Sequence, residues 1–272
     1  MNLRQALEIS SLTDTGKVRS HNEDNIATNN EAGFVILADG MGGYNGGEVA
    51  SGIAVTMLAD GLKTALQAGL PEQGPGLLVK NEIEKTNGAI YQTAQSQPQF
   101  SGMGTTLVCA VFHDNRITVA HVGDSRLYRY RQKGTAPAQL EQITRDHSLL
   151  QEQIDCGMIS REEARLSTNK NLVTRALGVD PTVNVEVQEH EALPGDVYLL
   201  CSDGLNDMVG DEEIQLTLSV LGTHLELTAQ QLVQMANDNG GRDNVSIILV
   251  RILRNFPASR GIFSWLYAWF KK

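Results

Sequence analysis

Four apolar runs in this chain of 272 residues end or begin at an aspartate that stands beside a glycine or another small or polar residue. "FVILADGMGG" stops at Asp39 and opens into glycines. "ITVAHVGDSR" places Asp124 after Gly123, "DVYLLCSDG" ends on Asp203 and Gly204, and "NGGRDNVSIILV" puts Asp243 immediately before an apolar run. "SHNEDN" adds Glu23 and Asp24 upstream. A single such ending is an ordinary Asp-Gly turn. Repeated at separate strands, the endings converge if the strands lie in adjacent sheets. Several carboxylates within a few ångströms do not all stay ionised without a cation between them. The pattern therefore predicts a bound divalent metal. Every candidate ligand atom is an oxygen, which selects a hard ion (magnesium, manganese or calcium) over zinc. Gly40, next to Asp39, could let a backbone carbonyl approach the metal with no side chain in the way.

The rest of the chain sets the frame for that convergence. Residues 5–13 read as a strand and 34–38 as a buried one. Residues 46–68 and 77–96 carry apolar residues at helical spacing, separated by the Gly/Pro-rich "GLPEQGPG". "GTTLVCAVFHDNRITVAHVGDSRLYRYRQ" is rich in β-branched and aromatic residues and turns at Asp114-Asn115, the mark of antiparallel strands. Residues 148–168 are more polar and helical, with Gly157 as a break. Strands are expected at 183–189 and 196–202, helices near 211–221 and 226–238, and a last strand over "NVSIILVRIL". Strands and helices come in blocks rather than alternating one by one. The expected class is α+β, with antiparallel sheets and segregated helices.

Taken in order, "VRSHNEDN", "ADGMGGYNGGE", "GTTL", "VGDSRLY", "DHSL", "LVTRALG", "CSDGL" and "GRDNVSIILV" run from residue 18 to 250. The ordered set resembles the metal-dependent serine/threonine protein phosphatases of type 2C, the PPM family, and its compact bacterial members most. The resemblance implies a four-layer α-β-β-α sandwich of two antiparallel sheets flanked by helices, with the metals in a cleft at the sheet edge. It implies Asp39 as the ligand bridging two metals, with the Gly40 carbonyl on one of them. Asp203 and Asp243 would hold the first metal. Glu23 and Asp24 would hold the second or its waters. Asp124 with Asp203 resembles the pair that binds a third, weaker metal. Arg19 would clamp the substrate phosphate. The cofactors implied are manganese or magnesium, two core ions and a third weaker one. The reaction implied is hydrolysis of phosphoserine and phosphothreonine in proteins, by a hydroxide shared between two cations attacking phosphorus in line. Such an enzyme reverses a Ser/Thr kinase, so its partners would be a kinase or the kinase's targets, and it would act as a monomer.

This chain departs from the family where the proton donor is concerned. Met41 and Tyr44 stand where relatives carry a histidine in or beside the glycine loop. A metal-bound water is the expected donor, and His147 in "DHSL" is read as a structural residue near a mobile flap over 148–170. Other chemistries find no footing. A cysteine phosphatase needs arginine six places after its cysteine. Asn115, Glu162 and Asp207 stand there after Cys109, Cys156 and Cys201, which are read as core fillers. No Gly-Lys-Ser/Thr phosphate loop is present. Two alternatives stay open at this point. One is a pseudo-phosphatase that binds a phosphoprotein, against which the complete set of acids argues. The other is a hydrolase of small phosphate esters, against which the flap argues.

The net charge of −10 argues against phosphate-backbone contacts with nucleic acid. The start, "MNLRQALEISSLTDTG", lacks a basic segment followed by an apolar core, and no apolar run is read as long enough to span a bilayer. A cytoplasmic location is expected. Residues 1–254 are read as the catalytic domain and 255–272 as a tail. That tail, "NFPASRGIFSWLYAWFKK", holds both tryptophans of the chain. Its aromatic residues and terminal lysines suit the inner face of a membrane, a groove on a partner, or an apolar patch on its own catalytic domain.

Overall fold

The computed structural model describes residues 3–258 except 44, 70–73, 133, 135–136, 161–162 and 165–171. Among the described residues, eleven strands form two sheets in which neighbouring strands pair antiparallel. One sheet has the order β1 (Leu7–Asp14), β11 (Val245–Ile252), β10 (Val197–Cys201), β7 (Arg126–Arg131), β8 (Gln139–Gln142). The other has the order β2 (Asp24–Asn29), β3 (Phe34–Met41), β5 (Leu107–His113), β6 (Arg116–Val122), β9 (Glu186–Glu191), with the short β4 (Gly104–Thr105) on the end of β3.

Apolar pattern and layer order explain each other. In β3, Phe34, Ile36 and Ala38 face one core while Val35 and Leu37 face another. In β11, Ile247 and Leu249 face outward-lying helices while Ile248 and Val250 meet the opposing sheet. A strand covered on both faces reads as a continuous apolar run rather than an alternating one. The helix α1 (Gly46–Ala68) lays Ala50, Ala54, Leu58 and Leu62 along one stripe against β3, and α2 (Pro75–Ser96) adds Val79, Ile83 and Ile90. On the far side, α5 (Asp211–Leu221) and α6 (Leu225–Asp238) bury Ile214, Leu218, Leu225, Leu232 and Ala236 over β10 and β11. Two shorter helices, α3 (Leu149–Asp155) and α4 (Asp203–Asn206), sit at the sandwich edge. Three cores thus separate four layers, as expected. Each fully buried Leu or Ile contributes about 2 kcal/mol before entropy is counted.

Several sequence expectations need correction. β2 and β8 were not anticipated; "DNIATN" and "QLEQ" are short and polar, and pairing with β3 and β7 forms them. The helix expected over 148–168 ends at Asp155, where Cys156 and Gly157, at φ +69°, turn the chain. Part of that flap, 161–162 and 165–171, lies outside the described residues. The strand expected over 183–189 is Glu186–Glu191. By length and composition alone, α1 (23 residues, with an 18-residue window of mean hydropathy 1.3) is long and apolar enough for a bilayer span, contrary to expectation. Here it packs on β3 as a core helix. The Asp114-Asn115 turn is as expected, with both residues at positive φ (42° and 58°), the geometry of a tight hairpin. Cys109 and Cys201 are core fillers, but Cys156 is exposed.

Candidate metal centre

The sandwich brings five aspartates from five chain segments to one edge. Asp24 opens β2 and pairs directly across the ladder with Asp39 on β3. Asp39 does not end its strand. β3 runs on to Met41, because β4 supplies Thr105 and Gly104 as partners for Gly40 and Met41. Asp124 follows β6 through Gly123. Asp203 is the first residue of α4, and Asp243 lies two residues before the start of β11 at Val245.

Their electrostatics report how close they are. Desolvation raises the Asp39 carboxyl well above the usual range, and Asp24, Asp203, Asp124 and Asp243 push it further. Desolvation also raises Asp203 well above that range, helped by Asp124, Asp207, Asp243 and Asp24. Burial is the first cause for Asp24 and Asp124 too, and each is pushed up to about 6. Glu23 stands at the margin. Its pKa is raised by desolvation and held back by Arg19.

The backbone around these acids is tightly fixed. The Asp39 carbonyl accepts from Thr106 N at 2.8 Å and from Thr105 Oγ1 at 2.8 Å, while Asp39 N donates to Thr106 Oγ1 at 3.2 Å. A Cβ on Gly40 would stand 2.1 Å from the Gly47 carbonyl oxygen and 2.6 Å from that of Glu23. Gly40 therefore serves the close approach of α1 to β3, a role the sequence reading did not assign it. Asn244, which that reading passed over, knits three segments together. Its Oδ1 accepts from Glu23 N at 2.8 Å, and its Nδ2 donates to the carbonyls of Thr15 (3.0 Å) and His21 (2.9 Å). Ser202 Oγ donates to Asp24 Oδ2 at 2.8 Å. The only signal for either residue was its place beside a singled-out aspartate.

Whether a cation fits can be judged from Asp24. Its Oδ1 is buried and has no hydrogen-bond partner among the described residues. A buried carboxylate oxygen left bare is costly. Among four other carboxylates, a hard divalent cation is the partner that satisfies it and offsets the mutual repulsion.

Arg19 is drawn to the same charge. Its Nη2 donates to Asp243 Oδ2 at 2.7 Å, which raises the pKa of the guanidinium. With Ser20, His21, Glu23, Gly42 and Asn45 it lines a cleft of about 410 Å³. A second groove, of about 390 Å³, is lined by Asp124 and Asp203 together with Leu150, Gln151 and Ile154 of α3. Tyr44 lies outside the described residues. Cys109 and Cys201 carry thiols pushed up to about 12 by burial, which removes them as nucleophiles.

Comparison with known proteins gives one answer. The family described as protein phosphatase 2C matches residues 16–250. The serine/threonine phosphatase stp of Listeria welshimeri is 40% identical over 243 residues, which cover 88% of this chain and 93% of that protein. The crystal structure of the Mycobacterium tuberculosis serine/threonine phosphatase PstP/Ppp is similar with a TM-score of 0.82 and 35% identity, over 91% of this chain and 99% of that one. The catalytic domain of PstP in complex with 2 manganese ions is similar with a TM-score of 0.80 and 35% identity, over the same shares of the two chains.

Proposed function

We propose, because this chain belongs to the protein phosphatase 2C family, that it removes phosphate from phosphoserine and phosphothreonine in proteins, with its clustered aspartates as the metal holders. It is a metal-dependent serine/threonine protein phosphatase, and its cofactor is manganese or magnesium. The observation that carries the residue roles is the convergence of Asp24, Asp39, Asp124, Asp203 and Asp243 with the bare Oδ1 of Asp24 among them.

In this reading Asp39, with the Gly40 carbonyl, would help hold two cations, Asp203 and Asp243 would complete the first, and Asp24 and Glu23 would hold the second or its waters. Asp124 with Asp203 serves a third, weaker one. Ions held there lower the pKa of water and offset the charge that grows on the phosphoryl oxygens. The protein's own part is to hold the carboxylates in register through Thr105, Thr106, Ser202 and Asn244, and to orient the phosphate. Arg19 does the latter with a planar pair of N–H donors. Its half-exposed side chain, set beside the 410 Å³ cleft, supports that role. The groove between the acids and α3 supports a protein substrate rather than a small ester. The substrate is a phosphoprotein, and a Ser/Thr kinase or its targets is the class proposed.

Phosphate release from a phosphothreonine peptide tests the reading. Purified protein should turn over with manganese and stop when EDTA is added; equal turnover in EDTA would sink it. Arg19→Ala should raise KM for that peptide about tenfold with little change in kcat, since the clamp acts before the transition state. A fall in kcat at constant KM would instead place Arg19 in the transition state.

The tail is the second part of the proposal. Phe256 is buried between the sheets, Phe256 N donates to Asn115 Oδ1 at 2.6 Å, and Ala258 N donates to Asp114 Oδ1 at 2.8 Å. The catalytic domain is accordingly taken to extend to Ala258, past the boundary expected at 254. That hairpin lies at the far end of β5, a strand of 7 residues, about 23 Å from the metal end. Residues 259–272 lie outside the described residues. Their aromatic and basic composition supports contact with an anionic membrane surface on the cytoplasmic side. Full-length protein should co-sediment with anionic liposomes and protein ending at Ala258 should not. If both stay in the supernatant and the shorter form melts several degrees lower, the tail covers its own domain instead.

A further inference from the structure

Among the described residues, His121, His147 and Glu186 bring two ring nitrogens and a carboxylate oxygen within 4.8 Å of one another. That spacing would suit zinc. The hydrogen bonds argue for a different use. His147 Nδ1 accepts from Gly123 N at 3.1 Å, so its proton sits on Nε2, which faces Glu186 Oε2 at 3.5 Å. A ligating Nε2 would need that proton on Nδ1, and a metal-bound imidazole donates from its other nitrogen. Arg175 Nη1 also stands 3.4 Å from Nε2, where a cation would have to enter.

What His147 does hold is Gly123. Its own N–H donates to the Gly123 carbonyl at 2.9 Å, so both backbone groups of Gly123 end on this one residue. Gly123 has φ +106°, and a Cβ there would stand 2.6 Å from Thr106 Cβ. Thr106 in turn is bonded to Asp39. The peptide before Asp124 is thus clamped between the Asp39 strand and His147. His147 also reaches the flap. Its carbonyl accepts from Thr174 N at 2.8 Å, Leu149 N donates to the Leu172 carbonyl at 2.9 Å, and Ser148 bridges Val173. The two ends of the flap meet at this residue. The ring lies stacked on His121 with centroids 4.6 Å apart. Burial, then His121 and Arg175, push its pKa down to about 4, so it is a neutral acceptor at physiological pH.

We propose that His147 is a positioning residue that fixes the Gly123 peptide, sets the carboxylate of Asp124 against Asp203, and couples that carboxylate to the base of the flap. The proposal rests on the metal reading above for the role of Asp124, but the clamp itself does not.

Two substitutions separate a clamp from packing. His147→Asn keeps an acceptor oxygen at the position of Nδ1 and loses the ring. His147→Phe keeps the ring over His121 and loses the acceptor. In metal-free protein, amide hydrogen exchange at Gly123 should quicken about tenfold in His147→Phe, the worth of one hydrogen bond, and stay within about twofold of wild type in His147→Asn. Calorimetric titration with manganese should show the weakest site lost or weakened about tenfold in His147→Phe alone. If His147→Phe protects Gly123 as wild type does, or His147→Asn does not, the proposal is overturned. Wild-type protein that takes up no manganese would fail the metal reading instead, and the exchange result would still decide the clamp.

Discussion

Asp39→Asn should lower turnover of a phosphothreonine peptide at saturating manganese by at least about a hundredfold, roughly 3 kcal/mol of transition-state stabilisation. The substitution keeps the side chain's size and removes one negative charge from the centre of the cluster, where Asp24, Asp203, Asp124 and Asp243 all act on it. The same change should help the metal-free protein, because it deletes a charge that is both desolvated and repelled. Melting in EDTA should therefore rise in the variant while activity disappears. The pH dependence has a definite sign. The folded-state pKa values of Asp39 and Asp203 are raised, and those of Asp24 and Asp124 stand at about 6. A raised carboxyl pKa means that the folded state binds the proton more tightly than the unfolded chain. The stability it contributes is present at low pH and is lost as the pH rises through about 6 and above. Melts of wild type in EDTA between pH 4.5 and 8 should slope downward across that range, and manganese should flatten the slope at its upper end. Wild-type turnover in Asp39→Asn would remove Asp39 from the centre of the mechanism.

Gly40→Ala is the second large effect, and it acts through the backbone. The new Cβ would lie 2.1 Å from the Gly47 carbonyl oxygen, 2.4 Å from its carbon and 2.6 Å from the Glu23 oxygen. None of these atoms is the end of a side chain that swings aside. A Cβ on Gly47 would in turn meet Gly40 carbon at 2.7 Å. The cost should reach about 3 kcal/mol, the upper end for overpacking, and lower the melting temperature by roughly 6–12 °C. Manganese affinity should fall with it, since Glu23 and Asp39 move when α1 is pushed off β3. Gly52 supplies the contrast. It lies inside α1, and its nearest Cβ neighbour would be Asn25 Nδ2 at 4.0 Å. Gly52→Ala should stabilise the protein by about 0.5–1 kcal/mol through helix propensity. Equal melting temperatures for the two variants would refute the close-approach argument for Gly40.

The class of fold and the need for a hard metal ion are legible in the residues alone. Continuous apolar runs such as "FVILA" and "SIILV" are written by residues that must face two cores, and helical stripes such as Ala50, Ala54, Leu58 and Leu62 repeat at a period that only a helix satisfies. The acids were visible because an aspartate beside a buried run is out of place unless something compensates it. The remaining features depend on contacts between segments that meet only on folding. "DNIATN" becomes a strand because β3 offers it a ladder, and that ladder sets Asp24 opposite Asp39. Asp39 falls inside its strand because β4 prolongs the pairing. Gly40 owes its place to Gly47, Asn244 to the carbonyls of Thr15 and His21, and His147 to the backbone of Gly123. Local pattern encodes which face of an element is apolar. A hydrogen bond between residues two hundred positions apart, or a 2 Å approach between a strand and the helix that follows it, has no local signature, and it exists only once the chain has folded.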